Sequence, residues 1–71
     1  MKKYVVVYER GRRNWSAFVP DLPGCIATGK TREITEHRIR EAIEMHVEAL
    51  RADGETIPDP SIEAGTVAVK S

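Results

Sequence analysis

The chain has 71 residues, too few for more than one domain with a core of its own, which excludes a multidomain enzyme. With 41% hydrophobic and 31% charged residues it has the composition of a globular chain rather than a disordered polar one. Eleven basic residues against eleven acidic ones cancel, which excludes a globally basic nucleic-acid binder.

The first predicted element is a strand over Tyr4-Val5-Val6-Val7-Tyr8, a β-branched and aromatic run that ends in a charged turn from Arg10 to Asn14 containing Gly11. A second strand starts at Trp15, with Trp15, Ala17 and Val19 on one face and Ser16 and Phe18 on the other, and Pro20 to Gly24 ends it. Cys25 to Thr28 reads as a third strand. Connections of a few residues make these three an antiparallel meander.

A long helix follows from Thr31. Thr35, Ile39, Ala42, Ile43, His46, Val47 and Leu50 fall on one side at about 100° per residue and must pack on the sheet. Glu36 with Arg40, Arg40 with Glu44, and Glu33 with His37 are spaced for ion pairs on the wet side, and Asp53-Gly54 is a stop signal. Ile34 and Met45 lie away from the apolar stripe and near each other in projection. Glu55 to Pro60 is an extended linker, and Gly65-Thr-Val-Ala-Val-Lys70 alternates again as a last strand, giving βββαβ in an α+β fold. One helix covers only one face of such a sheet, whereas Tyr4 to Tyr8 is apolar on both. A homodimer or higher oligomer is therefore expected. Tyr4, Val6, Tyr8 and Trp15, together with Ile34 and Met45, are the candidate contacts to a second copy or a partner.

Three stretches invite a chemical reading. Gly24-Cys-Ile-Ala-Thr-Gly-Lys-Thr31 matches the letters of a phosphate-binding loop ahead of a helix. Its interior is β-prone, Pro23 precedes the first Gly, and Val67-Ala-Val69-Lys70 carries no acid for Mg²⁺, so nucleotide binding ranks low and no cofactor is expected. His37 and His46 are nine apart, about 180° round the helix, and cannot share a metal ion. His46 belongs to the apolar stripe and His37 to the solvent face. Cys25 on a strand has no base to activate it and reads as a small buried hydrophobe; with no second cysteine there is no disulfide, and a reducing cytoplasm fits. The chain is expected to be non-enzymatic. No targeting segment and no membrane span is visible. Arg10-Gly-Arg12-Arg13-Asn14 beside Trp15 could grip phosphate and stack a base, the basis of an alternative reading as a small RNA-binding module.

Tyr-Val-Val-Val-Tyr8, then Trp15-Ser-Ala-Phe-Val-Pro-Asp-Leu-Pro-Gly-Cys25, Gly29-Lys-Thr31 and Arg40-Glu-Ala-Ile43 together resemble the HicB antitoxin family, from about Tyr4 to Pro60. The resemblance places Gly24, Gly29 and Thr31 in the family pattern, with Lys30 in a variable slot, and so accounts for the phosphate-loop letters another way. It implies a single domain over 1–71 with a partial ribonuclease-H-like fold lacking an active site. It further implies an antitoxin that binds and occludes a small HicA-type messenger-RNA ribonuclease. Many members add a C-terminal DNA-binding segment; only a short strand follows Pro60 here, so direct DNA binding is not expected. The chain departs from the family's Thr-x-Glu-Glu-Ala by placing Ile34 where an acid would complete a capping box. Finally, the zero net charge divides. Met1 to Arg32 holds seven basic and two acidic residues, +5, and Glu33 to Ser71 four basic and nine acidic, −5. A basic meander and an acidic helical side are expected, the latter a steering surface for a basic toxin.

Overall fold

The computed structural model describes all residues from Met1 to Ser71. Three strands and one helix follow in the order β1 (Val7–Arg10), β2 (Trp15–Phe18), β3 (Ile26–Gly29) and α1 (Arg32–Ala52). The sheet is an antiparallel meander in the order β1-β2-β3.

β1 is not where the apolar run alone puts it. The ladder pairs Val7 with Phe18 and Arg10 with Trp15, so β1 begins only where β2 can answer it. β2 cannot extend far past Phe18, because Pro20 has no N–H to offer a ladder. Tyr4 to Val6 therefore precede the strand, and pairing runs instead into the charged turn, where the Gly11 N–H donates to the Asn14 carbonyl at 2.8 Å. β3 likewise runs one residue further than its composition suggests, since Gly29 pairs with Trp15.

Register sorts the side chains. Tyr8, Ala17 and Ala27 form one cross-strand row on the helix side, and Val7, Phe18 and Ile26 form the adjacent row on the opposite side. The core beneath α1 consists of Ala17, Val19, Leu22, Cys25 and Ile39. Leu22 is fully buried although it lies in the Pro20 to Gly24 turn. Val19 and Cys25 close that turn (N–H to carbonyl, 3.2 Å), and Leu22 bonds back to both at 3.0 Å, so the loop folds its leucine under the helix. Gly24 has φ +85°, a conformation that explains a glycine there.

The helix starts and stops on local chemistry. Thr31, extended at φ −126° and ψ 164°, accepts the Ile34 N–H on its hydroxyl at 3.1 Å. At the other end Gly54, at φ +70°, donates to the Arg51 carbonyl at 3.1 Å and Glu55 donates to Leu50 at 2.9 Å, the paired bonds of a Schellman motif. The helix lies over β3 and β2 and leaves β1 largely uncovered. Gly29 permits this. A β-carbon there would stand 2.7 Å from the Thr35 hydroxyl and 3.0 Å from both the Thr35 nitrogen and Ile34 Cγ2.

The expected last strand, Gly65 to Lys70, does not form in the single chain, which has neither helix nor strand after Gly54. Alternation makes a segment suitable for a sheet, but a strand exists only with a neighbour to bond, and these residues lie beside none. The expected ion pairs also shift. Glu36 meets Arg40 at 3.7 Å but Arg32 more closely at 3.0 Å, and His37 faces Glu41 at 3.3 Å rather than Glu33.

Candidate interaction surfaces

The chain buries only seven of its 71 residues, and eight of its large apolar side chains are exposed. Besides Met1 and the C-terminal Ile62, Val67 and Val69, accessible apolar surface gathers in three places.

The first is the sheet face away from the helix. Phe18 is 41% exposed and Ile26 68% exposed, with half-buried Val7 completing the row across all three strands. The sequence places Phe18 on this face, but Ile26 and Val7 join it only through register.

The second is the outer side of α1. Met45 is 73% exposed, and Ile34 is exposed as well. Ile34 is not wholly in solvent, because its Cγ2 leans on the Gly29 backbone. Both residues stand apart from the buried stripe of Thr35 and Ile39, as the helical projection requires. His46 is half-buried beside that stripe and His37 is exposed.

The third is a trough between β1 and the helix. Tyr4, Val6 and Tyr8 pack on the core from the β1 side. Because α1 leans toward β3, an opening of about 530 Å³ remains between Val6 and Tyr8 on one bank and Ile39, Arg40 and Ile43 on the other. It continues toward the helix C-terminus as a second opening of about 590 Å³ beside Tyr4, Val47 and Ile57.

The basic hairpin is built differently from a free base-stacking platform. Arg10 lies over the Trp15 ring at 5.6 Å, and Arg32 lies over the Tyr8 ring at 4.0 Å while holding Glu36. Each aromatic ring thus already carries a guanidinium from its own chain. From Gly24 to Thr31 the chain forms β3 and the helix cap rather than a loop curled round an anion. Cys25 is buried, and that burial raises its thiol pKa. No three His, Cys, Asp or Glu side chains converge, and no helix is long and apolar enough to cross a membrane.

Charge is distributed by end rather than by layer. Register brings Arg10 and Gly29 to the same end of the sheet, so Arg10, Arg12, Arg13, Lys30 and Arg32 gather around the hairpin and the helix start. The helix is nearly balanced, with four arginines against five glutamates, and Glu36 and Glu48 are tied to arginines. The acidic excess belongs instead to the connection after the helix, at Asp53, Glu55, Asp59 and Glu63. This corrects the expectation of an acidic helix.

That connection is fastened across the far end of the sheet. The Tyr4 hydroxyl donates to the Pro58 carbonyl at 2.6 Å, and the Lys2 ammonium meets the Asp59 carboxylate, which raises the Lys2 pKa. Asp21, in the β2–β3 turn, accepts from the Ser61 hydroxyl at 2.6 Å, the Ser61 N–H at 3.0 Å and the Ile62 N–H at 3.3 Å. The Ser61 bonds, hydroxyl first, hold the Asp21 carboxyl below its ordinary pKa. Nothing in the sequence pairs Asp21 with a residue forty positions away; only the path of the linker does.

The chain is similar to several known proteins. A model of the family described as HicB-like antitoxin of bacterial toxin–antitoxin systems matches residues 4–69. A UPF0150 protein of Thermoplasma acidophilum is 36% identical over 66 residues, covering 92% of this chain and 96% of that protein. A UPF0150 protein of Helicobacter pylori is 43% identical over 47 residues, covering 66% of this chain and 65% of its own. A 14.9 kDa protein from the rep-hol intergenic region of Haemophilus phage HP1 is 33% identical over 55 residues, 78% of this chain but 41% of the phage protein. No solved structure matches significantly.

Proposed function

The chain belongs to the HicB-like antitoxin family of bacterial toxin–antitoxin systems, and from that premise we propose that it binds and neutralises a small HicA-type messenger-RNA ribonuclease in the cytoplasm. It acts by binding and not by catalysis, and works as a homodimer or higher oligomer. On this reading the meander and its helix are a partial ribonuclease-H-like scaffold put to use for its surfaces. The observation that carries the reading is the extent of the family match, residues 4–69, which takes in every strand and the whole helix. Exposed Ile34 and Met45 on the outer helix side supply apolar contacts for the toxin. The acidic connection from Asp53 to Glu63 supplies the steering field for a basic ribonuclease.

Co-expression with the small basic protein encoded beside its gene tests this. The two should co-purify, association should weaken with added salt, and RNA cleavage by the partner should stop in the complex. Met45→Glu and Ile34→Glu should each reduce capture without unfolding the antitoxin. A neighbouring ribonuclease that neither binds nor is silenced refutes the proposal. The RNA-binding alternative is disfavoured by the arginines already stacked on Trp15 and Tyr8.

A further inference from the structure

The trough beside β1 and the unpaired segment Gly65 to Lys70 are complementary halves of one contact, and we infer that two copies of this chain join by exchanging that segment. Residues 65–70 of each copy add a fourth strand to the β1 edge of the other. This deepens the oligomer part of the reading above and rests on it; the toxin is not involved.

The two edges of the sheet are unequal. At β3 the Arg38 guanidinium donates to the Thr28 carbonyl at 2.9 Å, so a charged side chain already occupies that edge in the manner that discourages strand addition. No side chain hydrogen-bonds the backbone of Val7–Arg10, and its outward N–H and C=O groups are open. The β1 edge also leads into the trough. A strand laid beside β1 would send every second side chain toward the opening of about 530 Å³ between Val6 and Tyr8 on the sheet and Ile39 and Ile43 on the helix, whose rim the chain's own Met1 and Lys2 share.

The chain carries a segment of the required pattern. Val67 and Val69 are two residues apart, point to one side of an extended backbone, and are 87% and 80% exposed. The segment has neither strand nor helix structure in the single chain. Valines alternating with Thr66, Ala68 and Lys70 are a strand with one apolar face and no sheet to lay it on.

Its own β1 edge is poorly placed to receive it. The connection after α1 crosses the end of the sheet from Tyr4, just before β1, to Asp21 in the β2–β3 turn, and is pinned there through Ser61 and Ile62. To lie beside its own β1 the chain would have to turn back over that crossing within the two residues between Ile62 and Gly65. It runs outward instead. The molecule is 48 Å long, more than the roughly 31 Å of a 21-residue helix at about 1.5 Å per residue, and residues 63–71 are exposed throughout. A two-fold arrangement satisfies both copies with one kind of contact, as isologous dimers do.

Sedimentation equilibrium and amide exchange on the 71-residue chain alone test the exchange. The wild type should have the mass of two chains and dissociate on dilution, with amides of residues 65–70 and outward amides of Val7–Arg10 gaining and losing protection together. Val67→Asp combined with Val69→Asp, at positions too exposed to affect the fold of one chain, should yield a folded monomer with both segments unprotected. A dimer that survives this double substitution overturns the proposal, and so does a wild-type monomer with an unprotected segment. Protection at 65–70 that is independent of concentration means the segment folds on its own sheet, and protection there without protection of β1 means that two segments pair with each other; either result also overturns it. Because no toxin is present, a negative result leaves the toxin reading standing, and a failure to capture the toxin leaves this one standing.

Discussion

Gly29→Ala tests the closest approach in the fold. Its β-carbon would sit 2.7 Å from Thr35 Oγ1, and that oxygen is not free to move: Thr35 is fully buried and donates its hydroxyl to the Thr31 carbonyl at 2.8 Å. The Thr35 backbone nitrogen, 3.0 Å away, cannot yield without the helix yielding too. Overpacking of this kind costs about 1–3 kcal/mol, and the strand regains up to about 0.5–1 kcal/mol by replacing glycine. A net loss of about 1.5 kcal/mol corresponds to a Tm lower by roughly 6–12 °C in a domain of this size. Thermal unfolding followed by circular dichroism at a single protein concentration measures it, since association makes Tm concentration-dependent. Thr35→Ala removes the obstructing oxygen, so the double variant should lose less than the sum of the singles. If Gly29→Ala melts with the wild type at the same protein concentration, the helix is not seated on β3 as described.

Three further outcomes are expected. The Asp21 pKa is depressed in the folded chain, so its hold on Ser61 and Ile62 is complete above the ordinary aspartate value of about 3.9 and is lost as pH falls through the lower folded value. Amide protection at Ser61 and Ile62 should therefore persist down to about pH 4, and Asp21→Ala should remove it at all pH; release already in the neutral range contradicts the clasp. Thr31→Ala should cost about 1 kcal/mol in urea unfolding by leaving the Ile34 N–H without its cap. The Cys25 thiol, buried and raised in pKa, should react with a thiol reagent at the rate of unfolding, and rapid labelling of the native protein would place Cys25 outside the core.

Much of the fold is legible in local sequence. Thr31 and Asp53-Gly54 bracket the helix because caps are chemistry within a few residues of the backbone they satisfy. The stripe through Thr35 and Ile39 is legible because helical geometry repeats. The meander is legible because its turns are short. Leu22 was not, since a leucine between two prolines reads as turn, and only the bonds among Val19, Leu22 and Cys25 fold it inward. The β1 boundary was not, because a strand's limits belong to its partner. The candidate surfaces divide similarly: Ile34 and Met45 stand out on a helical wheel, whereas the Val7, Phe18 and Ile26 row and the trough depend on register and on where the helix leans.

Charge shows the same division. The sequence alone determines that a +5 segment precedes a −5 segment and that the sum is zero. It also determines the helix with its two ends and the existence of the three-stranded meander, because caps, turns and periodicity act over a few residues. The tertiary structure decided that the positive charge gathers at the hairpin end, that the helix ties two of its five glutamates to its own arginines, and that the negative excess lies on the connection beyond it. It also decided that β1 keeps an open edge and that Gly65 to Lys70 has no sheet of its own. Each of these depends on distances between residues far apart in the chain, set by strand register and by the approach of α1 to Gly29, where the absence of a side chain lets the helix lean.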